Sequence, residues 1–197
     1  MAGRDRYHHG DLRNALLDAT IELVRERGAK GFSVSEAARR AGVSPSAPYR
    51  HFADRDAMLA ATAQHAFTEL EARFTALALE PTLTGRAAQI AVAYVAFARE
   101  DPARFEVMFA AGIDKTAHPE LLDQTRRVQT QLAKALSPHV PPAELVDRAA
   151  ELWSIAHGVA ALTVGGNLRH VVDPPRIDTI AASAARAWAT GTPGLGR

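Results

Sequence analysis

The sequence has no cysteine, few aromatic residues and no long apolar run, and each shortage excludes a class of protein. Because none of the 197 residues is cysteine, disulfide frameworks, thiol nucleophiles and cysteine-ligated zinc sites are excluded. No apolar run reaches the length of a membrane span, and the first residues lack the apolar segment of a signal peptide. Aromatic residues make up 6% of the chain and hydrophobic residues 47%, which favours a core of alanine, leucine and valine. We therefore expect a cytoplasmic globular protein that does not associate with membranes.

The net charge of +1 does not by itself indicate a nucleic-acid partner, but the charges are unevenly distributed. Residues 1–52 contain nine lysines and arginines against six acidic residues, whereas the remainder contains fourteen against sixteen. A modestly basic N-terminal part on a mildly acidic body is compatible with DNA binding at the N-terminal end.

The apolar residues recur with helical spacing in nearly every segment between turn signals. In the first such segment, about residues 10–27, Leu12, Leu16, Ala19 and Leu23 fall on one face. The pattern contains no credible strand and no internal repeat, so it predicts an all-α fold of about nine helices. The later helices are expected at about 54–80, 84–100, 102–109, 119–136, 143–169 and 173–190.

Residues 33–52 carry the sequence signals of a helix-turn-helix. Ser33 and Glu36 have the spacing of a capping box, and the alanines that follow give the helix a small-residue face. Gly42 can end that helix in a sharp turn, and Ser44-Pro45 is a typical start for the next one. Two helices joined by a short glycine-containing turn place a recognition helix in a DNA major groove.

Residues 31–52, GFSVSEAARRAGVSPSAPYRHF, followed by Asp54-Arg-Asp-Ala-Met-Leu59, resemble the DNA-binding domain of the TetR family of transcriptional regulators. The segment Leu152-Trp-Ser-Ile-Ala-His-Gly158 resembles the Trp–His–Gly signature of one class of C-terminal domains in that family. The resemblance implies a three-helix DNA-binding domain over residues 1–56 and a helical ligand-binding and dimerisation domain over residues 57–197. It also implies a homodimeric repressor that binds a palindromic or near-palindromic operator and responds to a small molecule.

The candidate DNA-contacting residues surround this motif. Hydroxyls and free backbone N–H groups at helix starts can bind phosphate, and an arginine near the end of the recognition helix can hold a guanine edge in bidentate fashion. The resemblance adds a phosphate-binding basic residue at the start of the fourth helix, and arginines before the first helix can form an arm along the DNA. The predicted set is Arg6, Ser33, Ser44, Pro45, Ser46, Ala47, Tyr49, Arg50, His51 and Arg55. Core packing is the alternative for Tyr49. Arg39 and Arg40 are expected on a solvated face or as a pair facing the DNA backbone, rather than as base readers.

Pro48 departs from the family pattern, which commonly has an apolar residue such as leucine at this position. Proline lacks the backbone N–H and biases Ala47 away from helical geometry. The recognition helix is therefore either very short or begins one or two residues after Ser44. Sequence readout then depends on Arg50, thymine-methyl contacts and DNA shape, so phosphate anchoring is better supported than base recognition.

Bulky residues in the C-terminal part either fill the core or line an effector cavity. Tyr94, Trp153 and His157 carry polar groups that need partners when buried, and such groups can orient a ligand in a largely apolar pocket. The predicted ligand-binding set is Phe67, Phe74, Tyr94, Phe97, Phe105, Met108, Phe109, Trp153 and His157.

The last two predicted helices have features of a dimer interface. Small residues between positions 156 and 166 suggest close approach of another helix, and the last helix has an apolar face of its own. Two helices from each subunit then form a four-helix interface, with Ala161, Gly165, Ile177, Ile180, Ala184 and Trp188 as its predicted residues. Gly165-Gly166 is alternatively a kink or an early helix end.

The alternative function is a helical enzyme, small-molecule or cofactor binder, or interaction module without a DNA function. The histidines show no metal-binding helical pairing, and no nucleophile–base signature or glycine-rich phosphate loop is present. We therefore predict no catalytic residue, metal site or cofactor.

Overall fold

The computed structural model describes residues 9–110 and 113–191, and these residues form eight α-helices with no strand. The helices are α1 (His9–Arg27), α2 (Val34–Arg40), α3 (Arg55–Thr75), α4 (Leu83–Glu100), α5 (Pro102–Met108), α6 (Pro119–Leu136), α7 (Leu145–Val164) and α8 (Ile177–Thr190). Five short 3-10 helices cover Ala29–Gly31, Ala47–Arg50, Lys115–Ala117, Pro142–Glu144 and Pro174–Arg176. The all-α prediction is confirmed. Within the described ranges, every helix is too short or too polar to cross a membrane.

Several helices differ in extent from the predictions. The segment expected as a recognition helix is the 3-10 helix Ala47–Arg50, and α3 ends at Thr75 rather than near residue 80. Helix α7 stops at Val164 because Gly166 takes a φ of 72° and the Asn167 N–H donates to the Leu162 carbonyl at 2.9 Å. Gly165-Gly166 is therefore a helix end and not a kink.

The chain folds into two compact units, each of which combines two stretches of sequence. Of the described residues, the first unit contains those up to Ala66 together with those within 103–122, and the second contains Phe67–Pro102 with those from Asp123 onward. The boundary expected after residue 56 falls within the first turn of α3, which continues unbroken. The return of residues 103–122 to the first unit had no sequence signal.

The core of the first unit joins α1, α2 and the start of α3. Leu16 and Leu23 of α1 are fully buried, as the helical spacing predicts, and Ala37 and Ala38 of α2 are fully buried as well. Because these alanines are small, α2 can lie close to α1. Phe52, also buried, closes the core in front of α3.

The core of the second unit is built around α4, which packs against both α7 and α8. Fully or almost fully buried alanines lie on all three helices: Ala87, Ala91 and Ala98 on α4, Ala156 and Ala160 on α7, and Ala181 and Ala185 on α8. Tyr94 is the largest side chain buried among them. Its phenol hydroxyl therefore needs a partner inside the core.

Candidate functional site

The start of α2 does not carry the predicted capping box. Ser33 occupies the N-cap position, but its hydroxyl makes no capping hydrogen bond. Glu36 instead accepts two hydrogen bonds from Arg27, at 2.5 and 2.8 Å, and a third from Arg39 at 3.3 Å. These arginines hold the pKa of the Glu36 carboxyl below its usual range. The prediction is wrong because Arg27, at the end of α1, takes the carboxylate; the Ser33 side chain is left exposed to solvent.

Arg40 links α2 to α1 through ion pairs with two glutamates of α1. Its guanidinium donates to both carboxylate oxygens of Glu26 at 2.8 Å, and its Nη1 lies 3.4 Å from Glu22. The hydrogen bonds from Arg40 lower the pKa of Glu26. The expectation that Arg40 is not a base reader agrees with this arrangement.

The turn after α2 depends on the backbone of Gly42. Its φ is 72°, a left-handed conformation that L-residues with a side chain adopt at a cost. The Gly42 N–H donates to the Arg39 carbonyl at 3.2 Å, and the Val43 N–H donates to the Ala38 carbonyl at 2.9 Å. This is a Schellman ending, and it directs the chain into the next segment.

The residues Ala47–Arg50 form a single 3-10 turn, which we call the recognition turn. Pro48 lies in its first half, where the missing N–H is tolerated, and its carbonyl accepts from the N–H groups of His51 and Phe52 at 2.9 Å. The Pro48 ring is buried and so fills the apolar position. Of the two alternatives left open by the sequence, the structure therefore contains a short element beginning at Ala47.

Most of the predicted DNA-contacting residues on this segment are exposed. Tyr49 is 55% exposed, so the core-packing alternative is wrong, and the Arg50 side chain is also exposed. Ser44, Pro45 and Ser46 are exposed, and Ala47 and His51 are half-buried. The Ser44 and Ser46 hydroxyl oxygens lie 3.2 Å apart. Arg6 lies outside the described residues.

Arg55, one of the predicted DNA contacts, bonds to backbone carbonyls of its own chain. Its Nη2 donates to the Ala29 carbonyl at 2.6 Å and its Nε to the Phe32 carbonyl at 3.2 Å. The guanidinium carbon also lies 5.6 Å from the centroid of the Phe32 ring. Beside it, the Asp54 carboxylate accepts from the Ala57 N–H at 2.7 Å, which confirms Asp54 as the cap of α3. Arg55 thus ties the start of α3 to the chain that leads into α2.

Glu106 is a supporting residue that sequence reasoning missed. Its carboxylate accepts from the Ala29 N–H at 2.7 Å, and a Cβ on Gly28 would lie 3.2 Å from the same oxygen. Since Glu106 is 77 residues away from Ala29, no local pattern in the sequence signals the contact.

In the second unit, three of the predicted ligand-binding residues form a hydrogen-bonded group. The Trp153 indole N–H donates to the Tyr94 hydroxyl oxygen at 3.2 Å, and that oxygen lies 2.9 Å from Nδ1 of His157. The indole can only donate, so the phenol proton remains available for Nδ1 of His157. Burial raises the pKa of Tyr94 far above its usual range. We call these residues the Tyr–Trp–His group.

The other predicted ligand-binding residues are packed in the two cores or near their edges. Phe74 stacks on Tyr94 with 6.5 Å between ring centroids, and Arg73 lies 5.6 Å from the centroid of Phe97. Phe67 is buried in the second unit, while Phe105, Met108 and Phe109 belong to the first, where Phe105 and Phe109 contact each other. Whether any of them contacts an effector stays a prediction.

A cavity of 680 Å³ in the second unit lies beside α4 and α8 and contains none of the predicted ligand-binding residues. Its walls include Ala88 and Val92 of α4 and Ala182 and Arg186 of α8. The chain between α3 and α4 forms its rim and is fixed by Gln89, whose side chain bonds to the backbone of Ala78 and Glu80. No aromatic residue marks this cavity, so the search for bulky residues missed it.

The predicted dimer residues differ in accessibility. Ile177 is 3% exposed within its own subunit, so it contributes to the core and not to an outer face. The Trp188 indole donates to Glu151 at 2.7 Å, with Arg148 stacked 6.0 Å from its ring centroid. Ala161, Ile180 and Ala184 are half-buried and Gly165 is exposed.

Two further residues of α7 lie on an open face. Apart from its chain neighbours and the backbone of α7, nothing lies within 4 Å of the position that a Cβ on Gly158 would take, and Leu162 is 46% exposed.

Comparison with known proteins identifies the family. Residues 16–62 match the family model "Bacterial regulatory proteins, tetR family", and residues 87–187 match "Tetracyclin repressor-like, C-terminal domain". The HTH-type transcriptional regulator BetI of Brucella anthropi is 29% identical over 161 residues, covering 81% of each chain.

Two solved structures share the fold. A protein of unknown function from Rhodococcus sp. RHA1 has a TM-score of 0.76 at 27% identity over 95% of this chain and 98% of its own. FadR from Bacillus subtilis, solved in complex with stearoyl-CoA, has a TM-score of 0.73 at 13% identity over 91% and 98% of the two chains. The helix-turn-helix, the helical second unit and the two family matches lead to one assignment: the chain belongs to the TetR family and is a ligand-responsive, DNA-binding transcriptional regulator, not an enzyme.

Proposed function

We propose that this regulator is a dimeric repressor that binds a near-palindromic operator through the recognition turn of each subunit and is released by a largely apolar effector. The observation that carries the proposal is that Tyr49 and Arg50 are exposed on a turn whose Pro48 is buried in the protein. Because its target is the bacterial chromosome, we place the protein in the cytoplasm.

Phosphate anchoring is supported by groups that the fold leaves accessible. The Ser33 hydroxyl caps nothing, and the Ser44 and Ser46 side chains are exposed at the entrance to the recognition turn. Neutral hydroxyls and backbone N–H groups position a protein on DNA without reading its sequence. Tyr49 in the turn and His51 directly after it extend this phosphate-binding surface.

Base recognition depends mainly on Arg50. It is the only long side chain with several donors in the segment from Ser44 to His51, and no ion pair links it to another described residue. Arg40 and Arg55, by contrast, already bond within the protein. A bidentate arginine–guanine contact gives about 1–3 kcal/mol of discrimination, and the short side chains of Pro45 and Ala47 leave the remaining specificity to thymine methyls and DNA shape.

The effector site is proposed at the Tyr–Trp–His group, with Phe67, Phe74 and Phe97 as its apolar surroundings. A polar ligand atom can replace one of the hydrogen bonds within the group, while the aromatic rings contact an apolar body. The stearoyl-CoA complex of FadR, which has the same fold, supports an apolar effector. The three first-unit residues Phe105, Met108 and Phe109 remain candidates.

The dimer face is proposed on α7 and α8, at Ala161, Gly165, Ile180, Ala184 and Trp188. Gly158 and Leu162 are added because one leaves open space and the other is exposed. Small residues permit the close helix approach of a four-helix interface. Ile177 is left out because its side chain is already buried.

The test is selection of bound duplexes from a random-sequence DNA pool, followed by anisotropy titrations of the selected duplex. The selected sites should be inverted repeats that bind two subunits. Arg50→Ala should weaken binding by about tenfold to a hundredfold per subunit, since each subunit loses one bidentate contact. Arg126→Ala, an exposed arginine of α6 in the second unit, is the matched control and should leave affinity unchanged. Equal affinities for both variants would reject the assignment of the recognition turn.

A further inference from the structure

A second cavity, of 390 Å³, lies within the first unit and is separate in composition from the proposed effector site. Its lining comes from α1, the residues that follow the recognition turn, the first half of α3, and the start of α6 with the two residues before it, all within the first unit. The volume falls at the lower end of the range for small-molecule sites. The cavity is large enough for a compact organic molecule and not for a long acyl chain.

Four polar residues of this cavity carry N–H groups that can donate hydrogen bonds. They are Arg13, His51, His118 and Gln64. The Arg13 guanidinium carbon lies 5.5 Å from the centroid of Phe52, and no ion pair joins Arg13 to another residue that the structure describes. Stacking holds the guanidinium in place while its N–H edges remain able to bind an acceptor. A cation fixed in this way matches the bidentate geometry of a carboxylate.

Glu120 is the one acidic residue of the lining. It is exposed in the first turn of α6 and forms no ion pair with Arg13, although both line the same cavity. Its negative charge opposes an anionic ligand. Removing the Glu120 charge should therefore strengthen the binding of an anionic ligand, a change in the opposite direction to that expected when Arg13 is replaced.

The remaining wall is apolar and made of small residues. Phe52 and Leu121 are buried, and Ala57, Ala60 and Ala61 are the alanines of α3 that line the cavity. Larger side chains at these alanine positions would fill the space. The wall is therefore suited to a flat apolar body rather than to a second charged group.

We propose that this cavity is a binding site for a small carboxylate with an apolar body, with the carboxylate held by Arg13 and its ring or chain against Phe52 and the alanines. His51 directly follows the recognition turn, and its backbone N–H bonds to the Pro48 carbonyl. An anion bound in this cavity, which His51 also lines, places negative charge near the residues that face DNA. The carboxylate therefore lowers operator affinity, an effect that rests on the proposed function, whereas carboxylate binding does not.

The test uses the full chain and benzoate as the probe, with benzamide as its neutral isostere. Calorimetry should detect benzoate binding with a Kd of about 1–10 mM or tighter, and benzamide should bind at least about tenfold more weakly. Arg13→Gln should weaken benzoate binding by roughly tenfold to a hundredfold, because a charged donor pair is lost. Glu120→Gln should strengthen it, and Arg39→Gln, an exposed arginine outside the cavity, should leave it unchanged.

Ala61→Leu gives an independent check, because a leucine there fills the space without changing a charge. It should abolish benzoate binding while circular dichroism and thermal unfolding show a folded protein. The proposal is overturned if benzoate fails to bind the wild type, if benzamide binds equally well, or if binding persists in both Arg13→Gln and Ala61→Leu. Loss of DNA binding with retained benzoate binding rejects the proposed function alone, whereas retained DNA binding without benzoate binding rejects this site alone.

Discussion

Arg55 distinguishes a residue that builds the DNA-binding unit from one that touches DNA. The resemblance predicts a phosphate contact, yet its guanidinium donates to the carbonyls of Ala29 and Phe32 and stacks on the Phe32 ring. Replacement by glutamine removes both charge-assisted hydrogen bonds and the stacking. We therefore expect Arg55→Gln to act first on stability.

The magnitude follows from the exposure of the side chain. A hydrogen bond from a charged donor contributes about 1.5–3 kcal/mol to stability. Because the Arg55 side chain is 41% exposed, we take about 1 kcal/mol for each of its two hydrogen bonds. A cation–π contact at such a site adds about 0.5–1 kcal/mol. Arg55→Gln should lower the free energy of unfolding by about 2–3 kcal/mol. Arg50→Gln, the same substitution at an exposed arginine, should change it by less than about 0.5 kcal/mol.

The assay combines urea unfolding with the salt dependence of DNA binding. A lost phosphate contact reduces the slope of log K against log salt by about 0.9 per subunit, whereas a purely structural loss leaves the slope unchanged. We expect an unchanged slope for Arg55→Gln. A slope reduced by that amount, with an unfolding free energy within about 0.5 kcal/mol of the wild type, would refute the reasoning.

Three further predictions address the turn, the buried tyrosine and the dimer face. Gly42→Ala should lower the free energy of unfolding by about 1–2 kcal/mol, because alanine is strained in the left-handed backbone conformation although its Cβ meets no atom beyond its chain neighbours. Gly42→Asn should lower it less, and equal losses for the two variants in urea unfolding would contradict this prediction. Tyr94→Phe should cost about 1–3 kcal/mol at neutral pH, since Trp153 and His157 lose their shared partner. Because folding raises the pKa of Tyr94, the free energy of unfolding of the wild type should fall as the pH rises above about 10, the pKa of an unfolded tyrosine. The stability difference between the wild type and Tyr94→Phe should therefore shrink above that pH. A stability difference that does not change with pH would contradict this prediction. Gly158→Ala should weaken dimerisation in sedimentation equilibrium without harming the monomer, as alanine is the better helix former; an unaltered dimer would show that Gly158 is not at the interface.

Local signals in the sequence predicted the helices and the turn well. Periodic apolar residues located α1, and Gly42 and Asp54 marked a helix end and a helix start where the structure has them. These features depend on residues close together in the chain. Pro48 was also informative, because it predicted either a very short helix or a later start, and the structure has the short element Ala47–Arg50.

The predictions failed where a distant side chain competed for a local partner. Glu36 fitted a capping box, but Arg27 from another helix pairs with it more strongly than a backbone N–H can. Glu106 reaches Ala29 across 77 residues, and the cavity that includes Arg13 requires α3 and α6 to be placed together. Such contacts follow from tertiary packing, which residue spacing does not encode.

The central claim, that the recognition turn holds the protein on DNA by phosphate anchoring with Arg50 as its base reader, is tested most directly by one titration series. Affinity for the selected duplex and for random-sequence duplex is measured against salt concentration, for the wild type and for Arg50→Ala. The account predicts that both wild-type affinities fall linearly in log–log form, and that Arg50→Ala reduces the ratio between them by about tenfold or more. Salt-independent binding, or an unchanged ratio in Arg50→Ala, would contradict it.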